Sequence, residues 1–573
     1  MKKLFVSALL VGALCNAFNV KAKPVKEKAG TVVYQMISHG KPIPQAGETI
    51  LKYANGVAVV ERKAPKEQNL IPEVPKEKTI IDFSGGQAYQ LAKLMDGSLY
   101  HTAKQLSDLP KPKVTDETEE ILGYNCKKAT IVLFSNRIDL WFTTEAGIKG
   151  APSVGSGLTD GVVLKMVRNG SYGMLATKID LQKKSKEELM PTNLGALVNG
   201  PVYQSKLKSS YIKSVEVFDR EQISWGNEIN NPEGEVLDAI YKYAGGTLIL
   251  KKVKLPKVTD DYDVFAEIVQ YSNGDAYDRT GSIFMIPQDR ERSFLDGLQK
   301  GVKTLPEYKD VEGKAYQGVV ATDDYLPVLE MVRFFTSFGV RAFNEKRTVV
   351  GQQWEDSTIF KQDISYLLPK LQGEVWIGAF IGNYDKGGHK LSLKLNYYPG
   401  SRVISEEPEK KKWVLPLFNT CNVMEMAGQS YGTMFKGDSL KVGFTIPEGV
   451  KNVRLEYIST GHGGWGGGDE FNQKMNEIFV DGDKVFGYIP WRRDCGTYRN
   501  SNPSSGNFWN GISSSDLSRS GWCPATLTNP VTVPFTGIEA GKHTIQVAIP
   551  IGPKEGGSSS SWNISGVLVG EYE

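Results

Sequence analysis

Apolar and polar residues alternate with a period of two along much of the chain. Lys128-Ala129-Thr130-Ile131-Val132-Leu133-Phe134 and His543-Thr544-Ile545-Gln546-Val547-Ala548-Ile549 show the pattern, in short runs bounded by Gly, Asn and Asp. Runs of this kind are strands of antiparallel sheets with one face buried. Asn55-Gly56 and Asn169-Gly170 each separate two apolar runs, and Asn-Gly favours the tight turn of a hairpin. Helical periodicity is sparse; Gly234–Tyr243 and Tyr325–Phe335 are the best candidates for short helices. The pattern predicts an all-β protein.

Length and charge refine this picture. The chain has 573 residues, and a single core stops growing at about 250–300, so roughly three domains are expected. Gln182-Lys183-Lys184-Ser185-Lys186-Glu187-Glu188 reads as a connector after a first β-rich domain. A second break is Tyr398-Pro399-Gly400, followed by the charged run Glu406 to Lys412. Charge runs are usually solvated connectors. They divide the chain into residues 23–204, 205–400 and 405–573. Residues 1–22 read as a signal peptide: Lys2 and Lys3, the apolar run Leu4 to Leu14, then Val20-Lys21-Ala22. Lipidation at Cys15 is disfavoured, because Leu14 stands where a small residue is needed. An exported protein is expected, periplasmic, on the outer surface or secreted. No later run approaches the ~20 apolar residues of a membrane span.

Lys plus Arg number 68 against 65 Asp plus Glu, a net charge of +3 with no basic stripe, so nucleic acid is not an expected partner. The cysteines after the leader are Cys126, Cys421, Cys495 and Cys523, and export would let them form disulfides. Four cysteines allow three pairings, and spacing does not choose among them. Five histidines are scattered along the chain and no C-x-x-C occurs. A zinc or copper centre needs converging ligands, so neither a metal nor another cofactor is expected.

Two segments of the last third are unusual. Thr460 to Phe471 carries six glycines in the eight positions Gly461 to Gly468, then delivers Asp469-Glu470-Phe471. A strand follows, not the helix N-terminus that a phosphate cradle requires. The plain reading is a tight surface loop with a solvated acid. The second segment runs from Cys495 through Gly506-Asn507-Phe508-Trp509 to Arg519-Ser520-Gly521-Trp522-Cys523-Pro524. A Cys495–Cys523 disulfide would close it and hold Arg519 and Trp522 in place, an entropic stabilisation of roughly 3 kcal/mol. Flat aromatics that pack on sugar C–H faces, with a guanidinium for hydroxyls, suit a glycan site; an ordinary stapled loop is the alternative.

Together these segments resemble the C-terminal domain of the peptide-N-glycosidase F family, over about a hundred residues. The middle of the chain resembles that family's first domain through Asp275-Ala276-Tyr277-Asp278-Arg279, the strand Ile283-Phe284-Met285-Ile286 and Arg333-Phe334-Phe335. The resemblance implies two adjacent eight-stranded antiparallel jelly rolls, preceded here by a separate, bowl-like β-rich N-terminal domain, with the active site in the cleft between the rolls. It implies that Asp278 is the principal catalytic acid and Glu470 the second carboxylate. Arg279, Arg519 and Trp522 match positions that line the site; Tyr277 and Phe471 stand where the family has Trp. Asp275 and Trp465 are assigned to substrate binding with them. The family's third acid falls near Phe380, leaving that role vacant or taken by Asp385. Gly468 and Asn472 replace cysteines that flank the second acid.

The implied reaction is hydrolysis of the amide joining Asn to the first N-acetylglucosamine of N-linked glycoproteins and glycopeptides, by a metal-free monomer. Longer family members with an N-terminal addition tend to accept core α1,3-fucose, so that tolerance is expected too. One rival is a glycan-binding jelly-roll protein without activity. The other is a copper monooxygenase of similar architecture, which the scattered histidines oppose.

Overall fold

The computed structural model describes residues 28–43, 46–63, 75–310, 312–399, 411–421, 433–436, 439–463, 467–555 and 558–573. The leader, Cys15, Trp465 and most of the charged run at 401–410 lie outside them. The chain divides into two compact units, with the boundary in sequence between Tyr211 and Ile212.

The first unit is built on one 13-stranded sheet. From the central strand Ala29–Ser38, five antiparallel strands continue through Glu48–Ala54 and Val57–Lys63 to Leu99–Gln105. On the other flank, Tyr172–Gln182 leads through Val162–Arg168 and Asn136–Thr143 to Lys113–Ile121. The expected Asn-Gly hairpins are present: φ is 53° and 79° at Asn55 and Gly56, and 52° and 70° at Asn169 and Gly170. Two consecutive positive φ values match the right-handed twist of the flanking strands. Tyr34, Leu51, Tyr53 and Ile81 are buried on one face of this sheet, and Tyr34 donates its hydroxyl to the Val163 carbonyl at 2.7 Å. Helix Gly200–Tyr211 closes the unit.

The second unit holds two jelly rolls. The first pairs a four-stranded sheet (Lys213–Ile223, His389–Tyr398, Asp263–Ser272, Thr358–Asp363) with a six-stranded one. Five of those six strands are Ile240–Tyr243, Leu248–Leu255, Gly373–Ile381, Thr280–Ile286 and Leu329–Phe335. The sixth, Leu527–Thr528, comes from the last third of the chain. The second roll faces Lys412–Asn419, Ser561–Tyr572, Val450–His462 and Val531–Pro534 against Leu440–Ile446, Gly541–Ala548, Asn476–Val480 and Asp483–Tyr488. Strict inside–outside alternation marks Thr358–Asp363 and Leu440–Ile446.

The two expected helices are absent. Tyr325–Phe335 contains strand Leu329–Phe335, and Gly234–Tyr243 ends in strand Ile240–Tyr243. Leu329–Phe335 is buried at every position, so its sequence shows no period of two and an apolar run of that kind reads equally as helix. One face of the strand fills the first roll; the other meets the second roll through an ion pair. Arg333 Nε and Nη2 donate to Glu330 at 2.6 and 2.7 Å. Arg333 Nη1 donates to Thr460 Oγ1 and the Asn563 carbonyl, both at 3.1 Å, and Ser565 donates to Glu330 at 2.6 Å. A buried pair holds only when its remaining donors and acceptors are satisfied, and here strands of the second roll satisfy them.

Candidate active site

Asp278 sits in the turn from Asp263–Ser272 into Thr280–Ile286. Around it the backbone is clamped. Thr336 donates its hydroxyl to the Tyr277 carbonyl at 3.0 Å and accepts from the Arg279 N–H at 2.7 Å. Asp275 is enclosed under the turn and accepts from Arg279 Nε at 2.7 Å and from His389 Nε2 at 3.3 Å. Gln270 Nε2 lies 2.9 Å from His389 Nδ1. Burial alone would raise the Asp275 carboxyl, but the hydrogen bonds and charges of His389 and Arg279 hold it down at about 2. His389 is pushed below its usual range by burial, against the pull of Asp275, so near neutral pH the neutral imidazole bridges Gln270 and Asp275. Asp275 therefore orients Arg279 from below and does not open onto the cleft. The Arg279 guanidinium lies 4.9 Å from the ring of Tyr277 and 5.9 Å from that of Tyr384, and both residues are 61% exposed.

Glu470 arrives from the other roll, beyond strand Val450–His462. Its neighbour Asp469 is fully buried and accepts from Trp562 Nε1 at 2.7 Å and from the Gly552 N–H at 2.9 Å. Consecutive acids thus take different tasks: Asp469 anchors the turn, and Glu470 projects. The Ser520 N–H donates to the Glu470 carbonyl at 3.0 Å, which ties this turn to the segment that carries Arg519.

That segment is closed by the Cys495–Cys523 disulfide. Gly521 explains how Arg519 and Trp522 reach one place. Its φ is +83°, and a Cβ there would meet the Ser459 carbonyl oxygen at 2.4 Å, so only glycine fits the reversal. Trp522 is buried; it donates its Nε1–H to the Gly461 carbonyl at 2.9 Å and stacks on Phe335 at 4.2 Å. The Arg519 guanidinium rests 4.5 Å over Trp522 and 5.1 Å from Phe471. Trp522 thus supports Arg519 instead of facing the cleft. His462 packs 5.3 Å from Trp522 and joins Thr460 Oγ1 at 2.8 Å. Burial, with the charges of Arg333 and Arg519, lowers its pKa to about 3, and it stays neutral.

Arg519 joins the two rolls' acids. Its Nη1 donates to Asp278 Oδ2 at 2.9 Å and also to Glu470 Oε1. Its Nη2 donates to the Ser514 carbonyl at 2.9 Å. Arg519 is 1% exposed, Asp278 15% and Glu470 22%. Burial raises the Asp278 carboxyl, Arg519 opposes the rise, Glu470 adds to it, and the result is about 7. Glu470 is raised as well, by burial against the pull of Arg519. Two carboxyls that share one guanidinium in a partly dry cleft titrate as a pair, one ionised while the other keeps its proton.

Three family models match in chain order. That described as the N-glycanase peptide, N-terminal domain, covers residues 32–200. Those described as peptide-N-glycosidase F, N terminal and C terminal, cover 214–397 and 430–569. A crystal structure of PNGF-II is 43% identical over 95% of this chain and 100% of that one, with a TM-score of 0.86. The chain belongs to the peptide-N-glycosidase F family. A second crystal form of PNGF-II, also 43% identical, covers 95% of this chain and 98% of that one, with a TM-score of 0.80. Peptide-N-glycosidase F from Flavobacterium meningosepticum, described as a glycosylasparaginase, is 12% identical over 63% of this chain and 96% of that one, with a TM-score of 0.43. No curated protein sequence matches the chain.

In this member of the peptide-N-glycosidase F family, Phe380 is core. Asp385 turns its carboxylate onto its own loop, accepting from the Gly387 and Gly388 N–H groups at 2.8 Å each. Among the described residues no cluster of three His, Cys, Asp or Glu could hold a metal ion. Sequence reasoning missed Ser514, Thr336, His389 and Tyr384, which have no local signal; Thr336, His389 and Tyr384 act through neighbours distant in sequence, and Ser514 through Arg519 five residues on.

Proposed function

We propose that the protein is an exported amidase that hydrolyses the Asn–N-acetylglucosamine bond of N-linked glycoproteins and glycopeptides, releasing the intact glycan. The observation that carries this reading is the Arg519 Nη1 that bonds Asp278 and Glu470, one acid from each jelly roll. Amide hydrolysis needs a base for water and an acid for the departing nitrogen. Asp278, in the form of the pair in which Glu470 holds the proton, takes a proton from water as the oxygen adds to the Asn side-chain carbonyl carbon. Glu470 positions the group and delivers a proton to nitrogen as the C–N bond breaks. Arg519 and Arg279 stabilise the oxyanion. The products are an Asp residue and a glycosylamine. No helix among the described residues is long and apolar enough to cross a membrane, and the apolar leader with the Cys495–Cys523 disulfide supports export. The enzyme acts as a monomer.

Core α1,3-fucose is tolerated in this reading. The exposed Tyr277 and the Phe471 ring are smaller than the Trp of the family motif, and Phe380 places no carboxylate beside the first sugar. Digestion of two glycopeptides, one core α1,3-fucosylated and one not, tests both levels. Wild type should convert Asn to Asp in both, and Asp278→Ala in neither. Near-normal turnover by Asp278→Ala would refute the acid's role; binding without conversion by wild type would favour a glycan-binding protein. Cleavage of the unfucosylated peptide alone would remove fucose tolerance.

A further inference from the structure

The disulfide-closed segment carries a second feature beside Arg519. Residues 506–514 form a small hairpin: Asn507 and Ser513 pair as an antiparallel bridge, and the Ser514 N–H donates to the Gly506 carbonyl at 2.8 Å. Across its end, the Phe508 N–H donates to the Ile512 carbonyl at 2.8 Å and the Gly511 N–H to the Phe508 carbonyl at 2.9 Å. At its base, Ser505 Oγ accepts from Ser513 Oγ at 2.7 Å and from the Ser515 N–H at 2.9 Å. The hairpin is fastened to the acid cleft at two points. Ser514 accepts from Arg519 Nη2, and Phe508 meets Phe471 edge to face at 6.3 Å.

Trp509 stands at the tip of this braced turn, 97% exposed. An aromatic side chain of about 150–250 Å² left in water adds nothing to a core, yet a rigid exposed ring loses little freedom when something stacks on it. The surroundings define what that is. Between Arg499 and Arg519 the single ionisable side chain is Asp516, amid serines and asparagines. Asn507 and Asn510 lie within two residues of Trp509 in the same hairpin and are exposed. A neutral surface with amide and hydroxyl groups around one flat ring fits a pyranose, whose C–H face packs on the ring while its hydroxyls meet the amides. The route from the Arg519 guanidinium to Trp509 passes over Phe471 at 5.1 Å and then Phe508 at 6.3 Å. Trp509 follows directly on Phe508, two ring contacts out from the guanidinium.

We propose that Trp509 is the platform of a remote sugar subsite, which stacks a neutral pyranose of the glycan beyond the first N-acetylglucosamine. The subsite rests on the amidase reading and extends it. Contacts this far from the reacting atoms are made equally in ground and transition states, so they act on KM and leave kcat alone.

The test compares wild type, Trp509→Ala and Trp509→Phe on two glycopeptides, one with a full high-mannose glycan and one trimmed to a single N-acetylglucosamine. Wild type should prefer the full glycan, and Trp509→Ala should lose about tenfold of that preference through KM, a typical loss for an aromatic anchor. Trp509→Phe should restore most of it, and melting temperatures should coincide because the ring is almost wholly in water. An unchanged preference in Trp509→Ala, or an equal loss on both substrates, overturns the subsite alone. If wild type cleaves neither glycopeptide, the amidase reading falls and the subsite falls with it.

Discussion

Asp278→Asn should stabilise the Ile212–Glu573 unit at alkaline pH while abolishing turnover. The Asp278 carboxyl moves from its ordinary 3.8 to about 7 in the folded protein, chiefly through burial. A difference of that size corresponds to about 4 kcal/mol between neutral and ionised forms. Part of it is repulsion from Glu470, which belongs to the pair and not to one acid, so about 2 kcal/mol is the expected gain on replacing the ionised acid by a neutral isostere. The sign follows from proton uptake. Between the unfolded and folded pKa values the native state binds more protons, so wild-type stability falls as pH rises through that window. The gain of the Asn variant is therefore absent below about pH 3, where both states are protonated, and complete above about pH 7. Thermal unfolding read at about pH 8 should show the variant melting about 2–3 °C higher, and at about pH 3 the two curves should coincide. Equal melting at the higher pH, or a gain that persists at the lower, would show that the acid is not held in an unfavourable charge state, and its assignment as a base poised near neutrality would fail. A site that destabilises its own fold is what activity commonly requires.

Three further outcomes follow from the same geometry. Arg519→Lys replaces a fork by a point charge that cannot serve Asp278, Glu470 and Ser514 together; kcat should fall about a hundredfold, and a loss below threefold in steady-state assays would count against the shared guanidinium. Removing the disulfide by Cys495→Ser with Cys523→Ser frees a loop with a sequence separation of 28, which should lower stability by roughly 3–4 kcal/mol and lower activity more than proportionately, as seen by denaturant unfolding and glycopeptide digestion. Arg333→Met leaves Glu330 charged and unpaired between the rolls, at a cost of about 3–5 kcal/mol, and the double variant with Glu330→Leu should recover most of it; failure of the second change to rescue the first would mean that the pair is not coupled.

Much of the local structure was legible from residues alone. Asn55-Gly56 and Asn169-Gly170 specify their turns because few other residues accept two positive φ values in succession, and the alternating runs specify strands because a period of two leaves one face to bury. Leu329–Phe335 was misread because both its faces are buried, which removes the period. The acids themselves were visible as Asp278 beside Arg279 and Glu470 beside Phe471. Their grouping is tertiary: Arg519 lies 241 residues from Asp278 and 49 from Glu470, and no spacing encodes a contact across two sandwiches. Nor could sequence say which of Asp469 and Glu470 faces the cleft, since that depends on Trp562 and Gly552 arriving to bind one of them. Asp275 and Trp522 share motifs with the acids yet lie beneath Arg279 and Arg519. Backbone preference acts over a few residues and is written in the chain; burial and shared charge act across strands, and only the folded arrangement of the two rolls decides them.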